Sequence, residues 1–168
     1  LSGGSRLFDQ ALAQRFSVGP AQAEKLKLKY ASLRPGASHP TPNHEKASRA
    51  IMGAAGQVLS LLQSAILFCK SQVKISGLKV DRGMLCGGGA ALDGLPQHIA
   101  GGMGVTVELF DAFRMVETDK LDAASADLLE EFKLEAVVAL GLATMGSDSE
   151  AYSLEILPAS LAKKRAFW

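Results

Sequence analysis

The chain has 168 residues, 48% of them hydrophobic and 21% charged, with a formal net charge of +1. That length suits one domain, or two small lobes, around a real core. The composition is that of an ordinary soluble globular protein, and it argues against nucleic acid or an acidic partner because no basic patch is interleaved with aromatics. The two cysteines, Cys69 and Cys86, lie far apart in apolar segments and read as buried thiols of a reducing compartment. No apolar run reads as long enough to span a membrane, the best candidates being interrupted by Gln63 and Lys70. The sequence carries no signal peptide or initiator methionine and opens on Leu1-Ser2-Gly3-Gly4, which reads as a fragment of something longer.

Taken in order, Ser2-Gly3-Gly4-Ser5 is a glycine turn whose serine can cap a helix. From Arg6 onward, Leu7, Phe8, Ala11, Leu12 and Phe16 share one helical face. Gly19-Pro20 breaks that helix. A second follows from Ala21 to about Leu33, with Ala23, Leu26, Tyr30 and Leu33 inward and Lys25, Lys27 and Lys29 mostly outward. On spacing alone, Glu24 and Lys27 form an i, i+3 surface pair worth roughly 0.2–0.5 kcal/mol. Arg34 to Asn43, with Pro35, Gly36, Pro40 and Pro42, is a mobile loop. His39 and His44 flank it, but no cysteine or carboxylate cluster completes a metal set.

The longest helical pattern runs from Glu45 to about Val73. Its apolar face is wide, which predicts a helix sandwiched between neighbours. Gly53 and Gly56 read as points of close backbone approach, or alternatively of a bend. Gly77 ends this segment, and a short apolar strand from Met84 to Cys86 then stops on Gly87-Gly88-Gly89. One glycine suffices for a strand-to-helix turn. Three favour a backbone that lies against a planar or phosphorylated ligand. The next helix starts at Leu95-Pro96, with proline in its first turn, and ends near Gly101-Gly102. Gly104 to Leu109 reads as a buried, β-branched strand. Strand, helix, strand is the logic of a parallel α/β sheet. Asp93 and His98 are five residues apart, and such a lone pair is structural. Val116 to Asp122 is a polar connector and Ser125 to Phe132 a short helix with a solvated acidic face.

The stretch Gly87-Gly-Gly-Ala-Ala-Leu92-Asp-Gly94-Leu resembles the adenosine motif of the actin- and FtsA-like ATPase superfamily. Its surroundings are most similar to type IV pilus assembly proteins of the PilM type. Gly3-Gly4-Ser-Arg-Leu-Phe8-Asp9 resembles the family's first helix start, and Ala23-Glu24-Lys25-Leu26-Lys27 resembles its Ala-Glu-x-x-Lys helix. The resemblance implies that Glu24 and Lys27 reach the ribose and adenine side of a nucleotide, and that Gly87, Gly88, Gly89 and Leu92 lie against the base. Phe68-Cys-Lys70-Ser71-Gln72 resembles the end of the corresponding family helix. Glu135-Ala-Val-Val-Ala-Leu-Gly-Leu-Ala143 resembles the helix that closes the ATPase core, its small residues allowing tight packing on the sheet. Phe110-Asp111-Ala112-Phe113 departs from the family's Asn-Pro-Phe.

The fold so implied is α/β, a partial actin-like (ribonuclease H-like) ATPase lobe with a mainly helical appendage. Residues 1–144 would be part of the second lobe, 34–75 a reduced helical subdomain within it, and 145–168 a C-terminal extension after a turn-rich break. The family's Asp-x-Gly-x-Thr phosphate hairpins do not occur in this sequence. The expectation is therefore a nucleotide-binding scaffold of a type IV pilus or type II secretion-like platform, with this chain carrying the adenosine side. The complete protein would take ATP with Mg²⁺, this chain alone would not hydrolyse it, and a degenerate interaction scaffold is the alternative. Implied partners are inner-membrane pilus assembly proteins of the PilN type and a second copy of the chain, at a cytoplasmic site peripheral to the inner membrane. The strand at Met84 would have one unpaired edge, for which Tyr152 to Leu157 alternates suitably as an added strand. Lys163, Lys164 and Arg165 read as a polar tail.

Overall fold

The computed structural model describes residues 4–74 and 77–147. Helices α1 (Arg6–Phe16), α2 (Pro20–Tyr30) and α3 (Pro42–Val73) come first. Strand β1 (Arg82–Leu85), helix α4 (Leu95–Met103) and strand β2 (Thr106–Leu109) follow. A 3-10 turn at Gly88–Ala91 joins β1 to α4, and another at Ala112–Met115 follows β2. Helices α5 (Ala123–Phe132) and α6 (Val137–Ser147) end the described chain.

The core is built mainly by helices. Phe8 and Leu12 of α1, Ala23 of α2, and Ala47, Ile51, Ala54 and Ala55 of α3 meet Leu92, Leu95 and Ile99 around α4. Ala side chains at the contact points let α1, α2 and α3 pack closely on one another, while α4 bridges α3 to β2. Strands β1 and β2 pair in parallel, Arg82 opposite Thr106 and Leu85 opposite Leu109. The strand–helix–strand unit thus has the parallel order expected of it. Among the described residues β1 pairs with β2 alone. The expected strand Tyr152 to Leu157 lies outside the described residues, as does the basic tail.

Several expectations need correction. Helix α2 stops at Tyr30, short of Leu33, because the following backbone finds other partners. Ser32 N–H donates to Ser48 Oγ at 3.1 Å and Leu33 N–H to the Asp93 carbonyl at 2.8 Å, so the strap leaves the helix and buries Leu33 in the core. Helix α3 is covered only in its N-terminal half. Beyond Leu62 most side chains are open, including Leu67 and Phe68, so it is not sandwiched along its length. It is also long and apolar enough to cross a membrane by length and composition, because Gln63 is uncharged and Lys70 lies beyond the apolar run that follows Arg49. Lys74, in left-handed conformation, ends it before Gly77.

Gly53 and Gly56 face open space, so neither mediates close packing. Both cysteines are exposed: Cys69 sits on the uncovered half of α3 and Cys86 at the open end of β1. Strand β2 is largely exposed rather than buried, with α4 as its main cover among the described residues. Helix α6 buries no residue and leans on the turn at Ala112–Met115 instead of the sheet. It continues to Ser147, through the start of the expected break.

Candidate functional site

The glycine turn is positioned from both sides. Gly87 takes φ +86°, a left-handed value that a side chain would strain, and its N–H donates to the Leu134 carbonyl at 2.6 Å. Gly88 to Ala91 then wind one 3-10 turn, Ala90 N–H donating to the Gly87 carbonyl. A Cβ on Gly89 would lie 3.5 Å from Ser5 Cα and Cβ, ordinary contact distance, so the turn rests on the start of α1. Ala90 and Leu92 turn inward and anchor it to the core. Leu92 is thus a packing residue, and its contact with a base has no support in its burial.

Lys27 is not on the outer face of α2. It is 6% exposed, with its ammonium donating to Ser5 Oγ at 2.9 Å and lying 2.8 Å from Asp9 Oδ1. The Asp9 contact has ion-pair distance without hydrogen-bond direction, so Ser5 is the better-aligned acceptor. Ala23 and Lys27 are one turn apart, and that spacing was the signal for Lys27 facing inward. The pair expected between Glu24 and Lys27 does not form: Glu24 is exposed, while the Lys27 side chain turns inward to Ser5 and Asp9. Ser5, Lys27 and Gly87 to Gly89 are therefore brought together, and Glu24 stands off. Gly3 lies outside the described residues.

A second junction locks the far end of the turn. Asp93 accepts from Ser32 Oγ at 2.6 Å and pairs with Arg34 Nε at 2.6 Å, while Gly94, at φ +79°, packs directly beneath the Leu33–Arg34 backbone. His98 Nε2 is buried without a hydrogen-bond partner among the described residues. Asp93 and His98 therefore form no acid–base pair. His44 is likewise structural, edge-on to Tyr30 with ring centroids 4.9 Å apart. No group of three or more His, Cys, Asp or Glu could hold a metal among the described residues.

Away from this site, α5 is capped by Asp122, whose carboxylate accepts from Ser125 N–H at 2.8 Å and Ser125 Oγ at 3.0 Å. Those bonds hold the Asp122 carboxyl below its usual value. An apolar groove of about 550 Å³ runs along α5, lined by Phe113, Val116, Leu121, Leu128, Leu129 and Phe132.

The family model for the type IV pilus assembly protein PilM matches residues 2–147. The chain belongs to that family. No curated protein matches it. Among solved structures, a chain of a "PilM-PilN type IV pilus biogenesis complex" matches with TM-score 0.63 and 24% identity, over 84% of this chain. At that identity the match shows a shared fold. This PilM-family chain spans 36% of the matched chain, about a third of its length.

Proposed function

We propose that this chain forms the base-side half of an ATP pocket in a nucleotide-binding scaffold of a type IV pilus or type II secretion-like assembly platform. The observation that carries the reading is the glycine turn itself. It is bare of Cβ atoms, exposed at Gly88, seated on Ser5 through Gly89, and one hydrogen bond from Lys27. A purine can rest on such a backbone; in this reading Lys27 acts through Ser5, which it holds under the turn, and exposed Glu24 would swing toward the ribose to accept from it. Among the described residues nothing comparable serves the phosphates, because the Lys27 charge is matched by Asp9. Mg²⁺ would arrive with the triphosphate, neutralising its charge, and be held outside these residues. Phosphoryl transfer depends on such positioned charges, so hydrolysis is not a property of this chain by itself.

Family membership and the PilM–PilN title of the matched structure support the rest of the reading. The partner is an inner-membrane assembly protein of the PilN type, and the site of action is cytoplasmic, against the inner membrane. The specific lobe reading, a partial actin-like second lobe within residues 1–144, belongs to the same proposal. Calorimetry with ATP and Mg²⁺ tests it: weak binding by the complete protein, weaker still by residues 1–168, and loss of binding in Gly88→Val. The alternative is a scaffold that no longer takes nucleotide, favoured by a Lys27 ammonium already satisfied by Ser5 and Asp9. Absence of any heat with ATP would select it.

A further inference from the structure

Glu135 opens the stretch that resembles the core-closing helix, but nothing in that resemblance placed it at the glycine turn. A Cβ on Gly88 would lie 2.5 Å from Glu135 Oε1 and 3.1 Å from its Cδ, so the carboxylate lies against Gly88, in the space a side chain there would take. Backbone bonds put it there. Gly87 N–H donates to the carbonyl of Leu134, the preceding residue, and Glu135 N–H donates to the Phe132 carbonyl at 2.9 Å, closing the link between α5 and α6. The next residue, Gly89, meets Ser5 and, through it, Lys27. Asp9, Asp93 and Glu130 are each engaged by a cation. The Glu135 side chain is exposed and has no hydrogen-bond or ion-pair partner among the described residues.

We infer that Glu135 reads the amino edge of a purine resting on the glycine turn and so sets the base preference of the site. This rests on the nucleotide reading above. An ionised carboxylate only accepts hydrogen bonds, so it favours a ring edge that donates. Adenine offers an exocyclic amine. Hypoxanthine presents a carbonyl at the same ring position, setting two acceptors against each other. A charge-assisted bond lost in this way lowers affinity by about tenfold or more. The same negative charge repels phosphates, which favours a ligand entering with its base toward this face.

The test is a competition between ATP and inosine triphosphate, each with Mg²⁺, read by calorimetry on the complete protein and on Glu135→Gln and Glu135→Ala. The wild type should prefer ATP by about tenfold or more. Glu135→Ala should bring the two affinities close together. Glu135→Gln, which both donates and accepts, should narrow the ratio mainly by strengthening the inosine nucleotide. An unchanged ratio in Glu135→Ala overturns the inference, as does equal tightening of both ligands, which would make the side chain a mere occupant of the turn. Wild-type binding without discrimination removes this inference alone. No binding of either nucleotide removes the underlying reading as well.

Discussion

Lys27 shows how one residue changes meaning between sequence and structure. Its spacing from Glu24 suggested a surface pair, yet the side chain is buried against Ser5 and Asp9, 22 positions from Ser5 along the chain. Burying an ammonium is costly unless it is paired and hydrogen-bonded, and here both conditions are met. Lys27→Ala would leave the Asp9 carboxylate, only 20% exposed, without its cation. Denaturant unfolding should show a loss of about 2 kcal/mol, less than for a fully buried pair because Asp9 keeps some water. Asp9→Ala in the same background should then cost little more. At the other end of the chain, Asp122 offers a pH test. Its carboxyl titrates below the usual 3.8 when folded, so its stabilisation is complete above 3.8 and fades as pH falls through the lowered folded value. Asp122→Asn, still able to cap α5, should lower the melting temperature slightly and flatten that acid limb in a thermal melt.

At the scale of elements, existence and type were legible while coverage was not. The apolar stripes on α1 and α3 and the Gly19-Pro20 and Leu95-Pro96 punctuation place helices where they stand, because period and breakers are local signals. Whether the wide face of α3 is covered depends on what packs there, and among the described residues its main neighbours are α1, α2 and α4. The end of α2 was invisible for the same reason. Ser48 and Asp93, which draw the strap away, are distant in sequence. The glycines separate along the same line. Gly94→Ala forces a Cβ into the Leu33–Arg34 backbone at a left-handed φ and should cost about 2–4 kcal/mol. Gly53→Ala and Gly56→Ala meet nothing and should each stabilise by about 0.5–1 kcal/mol. Chemical denaturation of the three variants checks opposite signs from one residue type.

For the whole molecule, the glycine turn was legible because its glycines are contiguous, whereas its seat on Ser5, with Lys27 behind it, joins segments more than 60 positions apart and was not. Glu135 was not legible, since it comes from an apolar helix start 47 residues beyond Gly88 and is carried in by backbone bonds alone. The open face of β1 carries Met84, 54% exposed, and the adjoining Cys86 is exposed as well. We propose that the edge of β1 with no strand partner among the described residues pairs with a second copy, such an edge being a template for association. Light scattering should find a dimer or larger species. A clean monomer in which the β1 amides facing away from β2 exchange as fast as free peptide would rule that pairing out.

The strap that crosses from Ser32 to Asp93 has a further consequence, one that appears in time rather than in shape. The Leu33 amide is buried, and its acceptor is 60 positions away, so its hydrogen cannot reach solvent unless α1, α2 and α3 part from the strand–helix–strand unit. It is a clock for that separation. In a native-state exchange experiment with added denaturant, Leu33 should exchange at the rate of the slowest core amides, Leu12 and Ile51 among them. Faster exchange at Leu33 alone would reveal two bodies that open at this seam while each keeps its own hydrogen bonds.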